Sequence, residues 1–281
     1  MDAKLKLALE KQAVKIRKDI VTAVHSAKSG HPGGSLSLAD TLTYLYFYKM
    51  NVDPTNPQDP DRDRFVLSKG HTAPGLYSTL AEKGFFPKEE LLSLRKTGAL
   101  LQGHPDMKYI PGVDMTTGSL GQGISTAVGM ALGGKISNAE YTVYTALGDG
   151  EIQEGQVWEA AMAAAHYKLD NLVAIVDNNG LQIDGKVSDV MSVYPIPEKF
   201  EAFGWNVTTC DAHDFDSIHE AFEKTNEKNG KPWVIVQKSV KGKGVSFMED
   251  KASWHGSAPN DEQYAQAMAD LDAIAKELEA K

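Results

Sequence analysis

The sequence predicts an α/β protein built as a doubly wound, mainly parallel sheet flanked by helices, and three observations carry that prediction. Short β-branched or aromatic runs recur along the chain, at Phe65-Val66-Leu67, Tyr141-Thr142-Val143-Tyr144, Leu172 to Val176, Trp205 to Thr208 and Trp233 to Val236. Segments of helical composition lie between them, at Ile124 to Leu132, Gln156 to Tyr167 and Phe215 to Lys228. Repeated strand, helix, strand order demands parallel pairing through right-handed crossovers.

The remaining elements fit around that core. Apolar residues at Leu5, Leu9, Ile16, Ile20 and Val24 recur every three to four positions or at multiples of that spacing, as an amphipathic helix requires. A glycine-rich break follows, then Leu38, Leu42, Leu45 and Tyr46 mark a second helix. Asp53 to Asp63 is a polar loop containing proline, and the segment after Asp261 reads as a final helix. With neither an internal repeat nor a low-complexity linker, the expectation is one domain over 1–281. It comprises an N-terminal helix and loop region (1–64), a sheet core (65–240) and a C-terminal loop and helix (241–281).

Composition narrows the function classes. The 281 residues suffice for a full hydrophobic core, and no run of 18 apolar residues offers a membrane span. The first residues, Met1 to Lys6, lead into an amphipathic pattern with no secretory signal, so a cytoplasmic protein is expected. A formal net charge of −9 disfavours nonspecific nucleic-acid binding while leaving room for a local basic pocket that holds a sugar phosphate. The single cysteine, Cys210, excludes an internal disulfide and is expected to be a small buried apolar residue.

Two loops give the sharpest chemical signal. Gly148-Asp149-Gly150 closes one apolar strand and Asp177-Asn178-Asn179 closes the next, so Asp149 and Asn179 are separated by about one βαβ unit. In a parallel sheet both loops then lie at carboxyl ends on the same edge, where such folds bind ligands. Asp149 offers an anionic oxygen and Asn179 a neutral one, a pairing that suits Mg²⁺ with positions left for diphosphate oxygens and water. Gly148 and Gly150 allow close approach of the backbone to phosphate, and a helix expected near Ile152 would turn its free N–H groups toward the anion. Either tripeptide alone is as readily an ordinary turn; the joint spacing and strand context make the case. A dinucleotide site fits worse, because Gly118-Ser119-Leu120-Gly121-Gln122-Gly123 has the wrong glycine order and no clear apolar strand before it.

Four of the eight histidines sit in loops beside Gly or Pro: His31, His71, His104 and His255. An imidazole in such a loop can move a proton near neutral pH or donate to a hydroxyl or phosphate oxygen. His25, His166, His213 and His219 lack that context and are read as structural.

Together these segments resemble the transketolase family, in its order. They are Ser29-Gly30-His31-Pro32-Gly33, Ser68-Lys69-Gly70-His71, Gly103-His104-Pro105, Thr116 to Gly123, Gly148 to Gly155 and Trp254-His255-Gly256. The resemblance runs from about Ser29 to Gly256 and implies the diphosphate-binding domain of the thiamine-diphosphate fold. It implies that Asp149, Asn179 and the main-chain carbonyl of Leu181 hold Mg²⁺, with the Gly150 amide, His71 and His255 near the diphosphate. Gly118 and Leu120 would touch the aminopyrimidine ring and Ile183 would pack beside the cofactor. His31, His104 and His255 would line the substrate channel, and Glu154 would sit at a subunit contact.

The activity implied is transfer of a two-carbon ketol unit from a ketose phosphate to an aldose phosphate, in the pentose phosphate pathway. The glutamate that activates the pyrimidine belongs to the family's next domain, which nothing after Gly256 resembles. A separate C-terminal subunit carrying the pyrimidine-binding domain is therefore expected, in a heterotetramer with two copies of each chain. A related enzyme such as 1-deoxyxylulose-5-phosphate synthase, a transketolase for an unusual sugar, and a non-catalytic homologue are the alternatives. Gly30-His31-Pro32 and Trp254-His255-Gly256 favour transketolase over the synthase.

Overall fold

The structure, a computed structural model, describes residues 1–281. Seven strands and ten α-helices follow in chain order: α1 (Ala3–Ala27), α2 (Pro32–Ser37), α3 (Ala39–Tyr44), β1 (Arg64–Leu67), α4 (Ala73–Lys83), α5 (Gln122–Ile136), β2 (Val143–Gly148), α6 (Gly155–His166), β3 (Leu172–Asn178), β4 (Leu181–Gln182), β5 (Gly185–Lys186), α7 (Val187–Val190), α8 (Ile196–Ala202), β6 (Asn206–Asp211), α9 (Phe215–Lys224), β7 (Trp233–Lys238) and α10 (Asp261–Glu279). Five strands form one wholly parallel sheet in the order β1-β2-β3-β7-β6, as the alternation predicts, and β4 with β5 forms a short antiparallel hairpin beside it.

The sheet is covered on both faces, which is why its central strands read as apolar runs without alternation. The pleat divides them. Tyr144, Ala146, Val173, Ile175 and Ile235 face one apolar cluster, with α3 and α4. Val143, Leu147, Leu172, Ala174, Val176 and Val234 face another, with α5 and α6. A third cluster joins α1 to α10 through Ile16, Ile20, Ala267 and Leu271. No helix is long and apolar enough to cross a membrane. Cys210 is buried, as expected.

Element boundaries depart from the sequence reading in four places. The glycine-rich break after α1 is largely the helix α2, because Gly33 and Gly34 serve close packing there and not a turn. A Cβ at Gly33 would lie 2.8 Å from the Trp254 carbonyl oxygen, and one at Gly34 would lie 2.8 Å from Thr72 Cγ2. The strand expected over 141–144 begins only at Val143 and runs to Gly148; Tyr141 lies before it, its ring 3.6 Å beneath the Arg64 guanidinium. α9 stops at Lys224, four residues early, where the Thr225 hydroxyl bonds back to the Phe222 carbonyl at 2.7 Å. The helix expected near Ile152 is a single 3₁₀ turn over Glu151–Gln153, and α6 starts at Gly155.

One buried acid gives the fold a pH dependence. Asp19, on α1, has one oxygen 2.9 Å from Lys88 and the other without a partner. Burial pushes its carboxyl from 3.8 up to about 7, against the pull of Lys88. The fold thus favours the protonated form, so this contribution to stability is complete below 3.8 and lost as pH rises through about 7. Asp19→Asn, which keeps the shape and removes the titration, is expected to raise Tm relative to the native chain at pH 8 and not at pH 4. Thermal melts across that range measure it, with a gain of about 2–4 °C per kcal/mol recovered; an equal shift at both pH values would contradict it.

Candidate functional site

Loops leaving the carboxyl ends of four neighbouring strands build the site, as expected for an open α/β sheet. β1 leads to Ser68, Lys69 and His71; β2 to Asp149; β3 to Asn179; and β7 to Ser239 and Lys241. The register Gly148 to Asp177 to Gln237 sets these ends level. His31, at the start of α2, and His255, after the turn Ala252–Trp254, complete the group.

Asp149 is the anionic centre. Its carboxylate is 2% exposed; one oxygen accepts from the Gly150 amide at 2.8 Å and the other from the Gly180 amide at 2.5 Å. The second bond ties the β2 and β3 loops together. Burial, and after it the nearby Asp177, push the Asp149 carboxyl up to about 6, so a cation placed there would relieve a charge the fold disfavours. Asn179 is oriented by its neighbours: its Nδ2 donates to Asp177 at 3.3 Å, and its Oδ1 accepts from the Leu181 amide at 3.1 Å.

The Leu181 carbonyl accepts from the Lys241 ammonium at 2.9 Å, and that ammonium also meets His255 Nδ1 at 3.0 Å. Lys241 is itself buried, which lowers its pKa to about 8. Beneath lies a second buried pair, Lys69 with Asp177. Asp177 also accepts from the Ser37 and Ser239 hydroxyls, and despite burial its carboxyl is held below the usual range by Lys69 and those bonds.

The three imidazoles of His31, His71 and His255 face one another with ring centroids 5.1–5.4 Å apart. Burial and the neighbouring cations depress all three. His31 and His255 fall to about 4, and His71 falls well below its ordinary value. At neutral pH the cluster is therefore uncharged, and His31 Nδ1 is buried without a partner. A neutral ring with a free nitrogen is suited to take a proton or to meet a hydroxyl group.

A cavity of about 280 Å³ brings together ten of the sequence-predicted residues: His71, Leu120, Gly148, Asp149, Gly150, Glu154, Asn179, Leu181, Ile183 and His255. Ile183 is 66% exposed on the hairpin at its edge. His104 and Gly118 line a separate polar cavity of about 470 Å³, with Thr116, Thr117 and Ser119. His31 borders neither cavity, and its place is fixed by contact with the other two rings. The Gly150 amide is engaged by Asp149's own side chain. Among the residues read as structural, His213 donates from Nδ1 to the Asp40 carboxylate at 2.7 Å while its Nε2 accepts the Val240 amide, His219 bonds Tyr44 and His25 bonds Asp261, and His166 lies exposed on α6.

Sequence reasoning assigned no role to Lys69, Asp177, Glu151 or Lys241. Three of them stood inside quoted motifs, whereas nothing in the local pattern singles out Lys241.

The donors fit a hard divalent cation. A carboxylate, an amide oxygen and a carbonyl oxygen line one cavity, and no cluster of three His, Cys, Asp or Glu side chains offers the ligand set of a softer metal. The same cavity carries Lys69, Lys241, His71 and His255 for an anion, and at Gly34 only the absence of a side chain leaves room beside Thr72.

Comparison with known proteins agrees with this fold. Residues 9–275 match the family model for the transketolase thiamine diphosphate binding domain. A 6-deoxy-6-sulfo-D-fructose transketolase subunit from Clostridium sp. (strain MSTE9) is 47% identical over 264 residues, covering 94% of this chain and 96% of that protein. One subunit of the apulose-4-phosphate transketolase from Phocaeicola vulgatus is 45% identical over 271 residues, covering 96% of each. Human transketolase is 45% identical over 252 residues, which is 89% of this chain but 40% of that protein. Among solved structures, Campylobacter jejuni transketolase superposes with a TM-score of 0.89 at 31% identity, covering 99% of this chain and 46% of the other. The chain thus spans under half the length of the solved transketolases it matches and nearly all of the relatives named as subunits. From the parallel sheet, the loops at its carboxyl edge and these likenesses together, the chain belongs to the transketolase family of transferases, as its thiamine diphosphate binding domain.

Proposed function

We propose that this chain is the diphosphate- and Mg²⁺-binding subunit of a two-subunit transketolase, acting in the cytoplasm on sugar phosphates with a companion that carries the pyrimidine-binding domain. The observation that carries the reading is the junction of the β2 and β3 loops. There the Gly180 amide clasps Asp149, and Asn179 and the Leu181 carbonyl share its cavity with Lys241. Asp149, Asn179 and Leu181 would hold Mg²⁺; Lys241 would offset diphosphate charge, and the neutral His71 and His255 would donate N–H groups to it. Gly118 and Leu120 would meet the aminopyrimidine and Ile183 would pack beside the cofactor. Bound there, thiamine diphosphate supplies the carbon nucleophile and electron sink needed to break a carbon–carbon bond.

This chain's own residues then bind and move protons. His31, with its free buried nitrogen, and His104, exposed in the neighbouring polar cavity, would hold donor-sugar hydroxyls, and His255 would bridge sugar and diphosphate. Glu154 is exposed at the rim, where a companion would meet it. A heterotetramer with two copies of each chain follows from the preference for closed two-fold symmetry. The two relatives named as subunits carry names of unusual sugars, which supports including such donors among the candidates.

The test is turnover by the chain mixed with its companion, over a panel of ketose and aldose phosphates with xylulose 5-phosphate and ribose 5-phosphate as reference. Ketol transfer dependent on both thiamine diphosphate and Mg²⁺ is expected; turnover indifferent to either would overturn the reading. In the same assay, His31→Ala and His104→Ala should leave cofactor affinity intact and lower kcat/KM by about 10²–10⁴, the usual worth of a proton-transfer group. Wild-type kinetics in both variants would remove these histidines from the substrate channel.

A further inference from the structure

Glu151 stands two residues past Asp149, is 2% exposed, and points away from solvent into the floor between three loops. Its carboxylate accepts three hydrogen bonds and donates none. One oxygen takes the Ser68 hydroxyl at 2.5 Å and the Gly121 amide at 3.0 Å; the other takes the Gly148 amide at 3.0 Å. Each donor is the chain neighbour of a residue lining the candidate cavity. Ser68 precedes Lys69, Gly121 follows Leu120, and Gly148 precedes Asp149.

Other contacts join these loops only in pairs: Thr117 Oγ1 donates to the Leu67 carbonyl at 2.7 Å, and a Cβ on Gly121 would fall 2.7 Å from Glu154 Cβ. Gly121 precedes α5 in the left-handed region, φ +80°, with no side-chain cap, and the Glu151 oxygen takes the Gly121 amide as the acidic partner of a capping box takes an N-cap amide. α5 lies hard against the end of β1: a Cβ on Gly123 would fall 2.5 Å from Ser68 Cα. The Glu151 carboxylate thus links the Gly121 amide to the Gly148 amide beside Asp149, and no other side chain hydrogen-bonds both.

We propose that Glu151 is a positioning residue that sets the distance between the loop at the pyrimidine end of the cofactor site and the loop at its metal and diphosphate end. Its consequence for cofactor binding rests on the proposed function, whereas its grip on the two glycine amides does not. Only a carboxylate with two acceptor oxygens satisfies three donors from three loops; an amide in its place turns an NH₂ group toward one of the backbone N–H groups.

The experiment compares Glu151→Gln, Glu151→Asp and the control Ser68→Ala in the full chain, by backbone amide hydrogen exchange and by thiamine diphosphate titration in the complex with the companion at saturating Mg²⁺. Whichever Glu151 variant folds is expected to exchange the Gly121 and Gly148 amides about tenfold faster or more, with Gly180, held by Asp149, unchanged. Cofactor affinity should fall about 10–100-fold, as for other outer partners of a bound group, with kcat at saturating cofactor close to native. Ser68→Ala removes one donor and leaves the carboxylate, so both glycines should stay protected. Native exchange at Gly121 and Gly148 would overturn the proposal. A uniform acceleration across the sheet would overturn it too, since that marks general loss of stability. Failure of the native complex to bind thiamine diphosphate would sink the proposed function and leave the amide-exchange result to judge Glu151 alone.

Discussion

Asp149→Ala is expected to abolish Mg²⁺-dependent retention of thiamine diphosphate. Asp149 supplies the one carboxylate among the proposed cation ligands, and the structure gives it a second task. Its oxygens hold the Gly150 amide at 2.8 Å and the Gly180 amide at 2.5 Å, so the substitution also frees the β3 loop that carries Asn179 and Leu181. Losing an outer partner of a metal site typically costs about 10–100-fold in affinity, and loss of the anionic ligand should exceed that range. Calorimetric titration of the complex with thiamine diphosphate, with and without Mg²⁺, measures the effect. His166→Ala is the control, since His166 lies exposed on α6, away from the site. Unchanged affinity in Asp149→Ala would place the metal elsewhere.

The second large effect concerns the chain by itself. A site that encloses a ligand of this size normally buries most of the ligand's surface. Here the residues assigned to the pyrimidine end, Gly118 and Leu120, border two different cavities, and Ile183 stands 66% exposed at the rim. That exposed face is the one the proposed companion would cover, contributing the pyrimidine-activating glutamate. The purified chain, freed of host transketolase, is expected to bind thiamine diphosphate weakly. Its turnover of xylulose 5-phosphate with ribose 5-phosphate should lie below about one hundredth of the reconstituted rate, a loss within the range for removing an acid–base group. Addition of the companion should restore turnover in a saturable manner. Robust ketol transfer by the chain alone would refute the two-subunit reading.

Much of the fold was legible because local patterns have distinct periods. The i, i+3, i+4 spacing from Leu5 to Val24 gave α1, and the apolar runs at 172–176 and 233–236 gave the central strands, since strands covered on both faces lack polar alternation. The ends of elements were less legible. The start of β2 and the helical state of Pro32–Ser37 depend on what the neighbouring segments pack against, and α9 stops early where the Thr225 hydroxyl turns back to the Phe222 carbonyl. Gly33 and Gly34 illustrate this: read along the chain they signal a break, whereas in the fold they admit Trp254 and Thr72.

The site divides along the same line. The sequence by itself determined the fold class, the pairing of Asp149 with Asn179 one βαβ unit apart, and the loop histidines, because each lies in a short motif whose spacing carries its meaning. Only the tertiary structure decided what surrounds them. The strand order puts β7, late in the chain, directly beside β3, and that adjacency delivers Lys241 to the Leu181 carbonyl and Ser239 to Asp177 across about 60 residues. It likewise decided that Lys69 is a buried partner of Asp177, and that Glu151 joins three loops. The physical reason is that periodicity and turn chemistry are properties of neighbouring residues, whereas the order of strands, and hence which distant charges meet in a low-dielectric floor, is settled by the packing of the whole sheet.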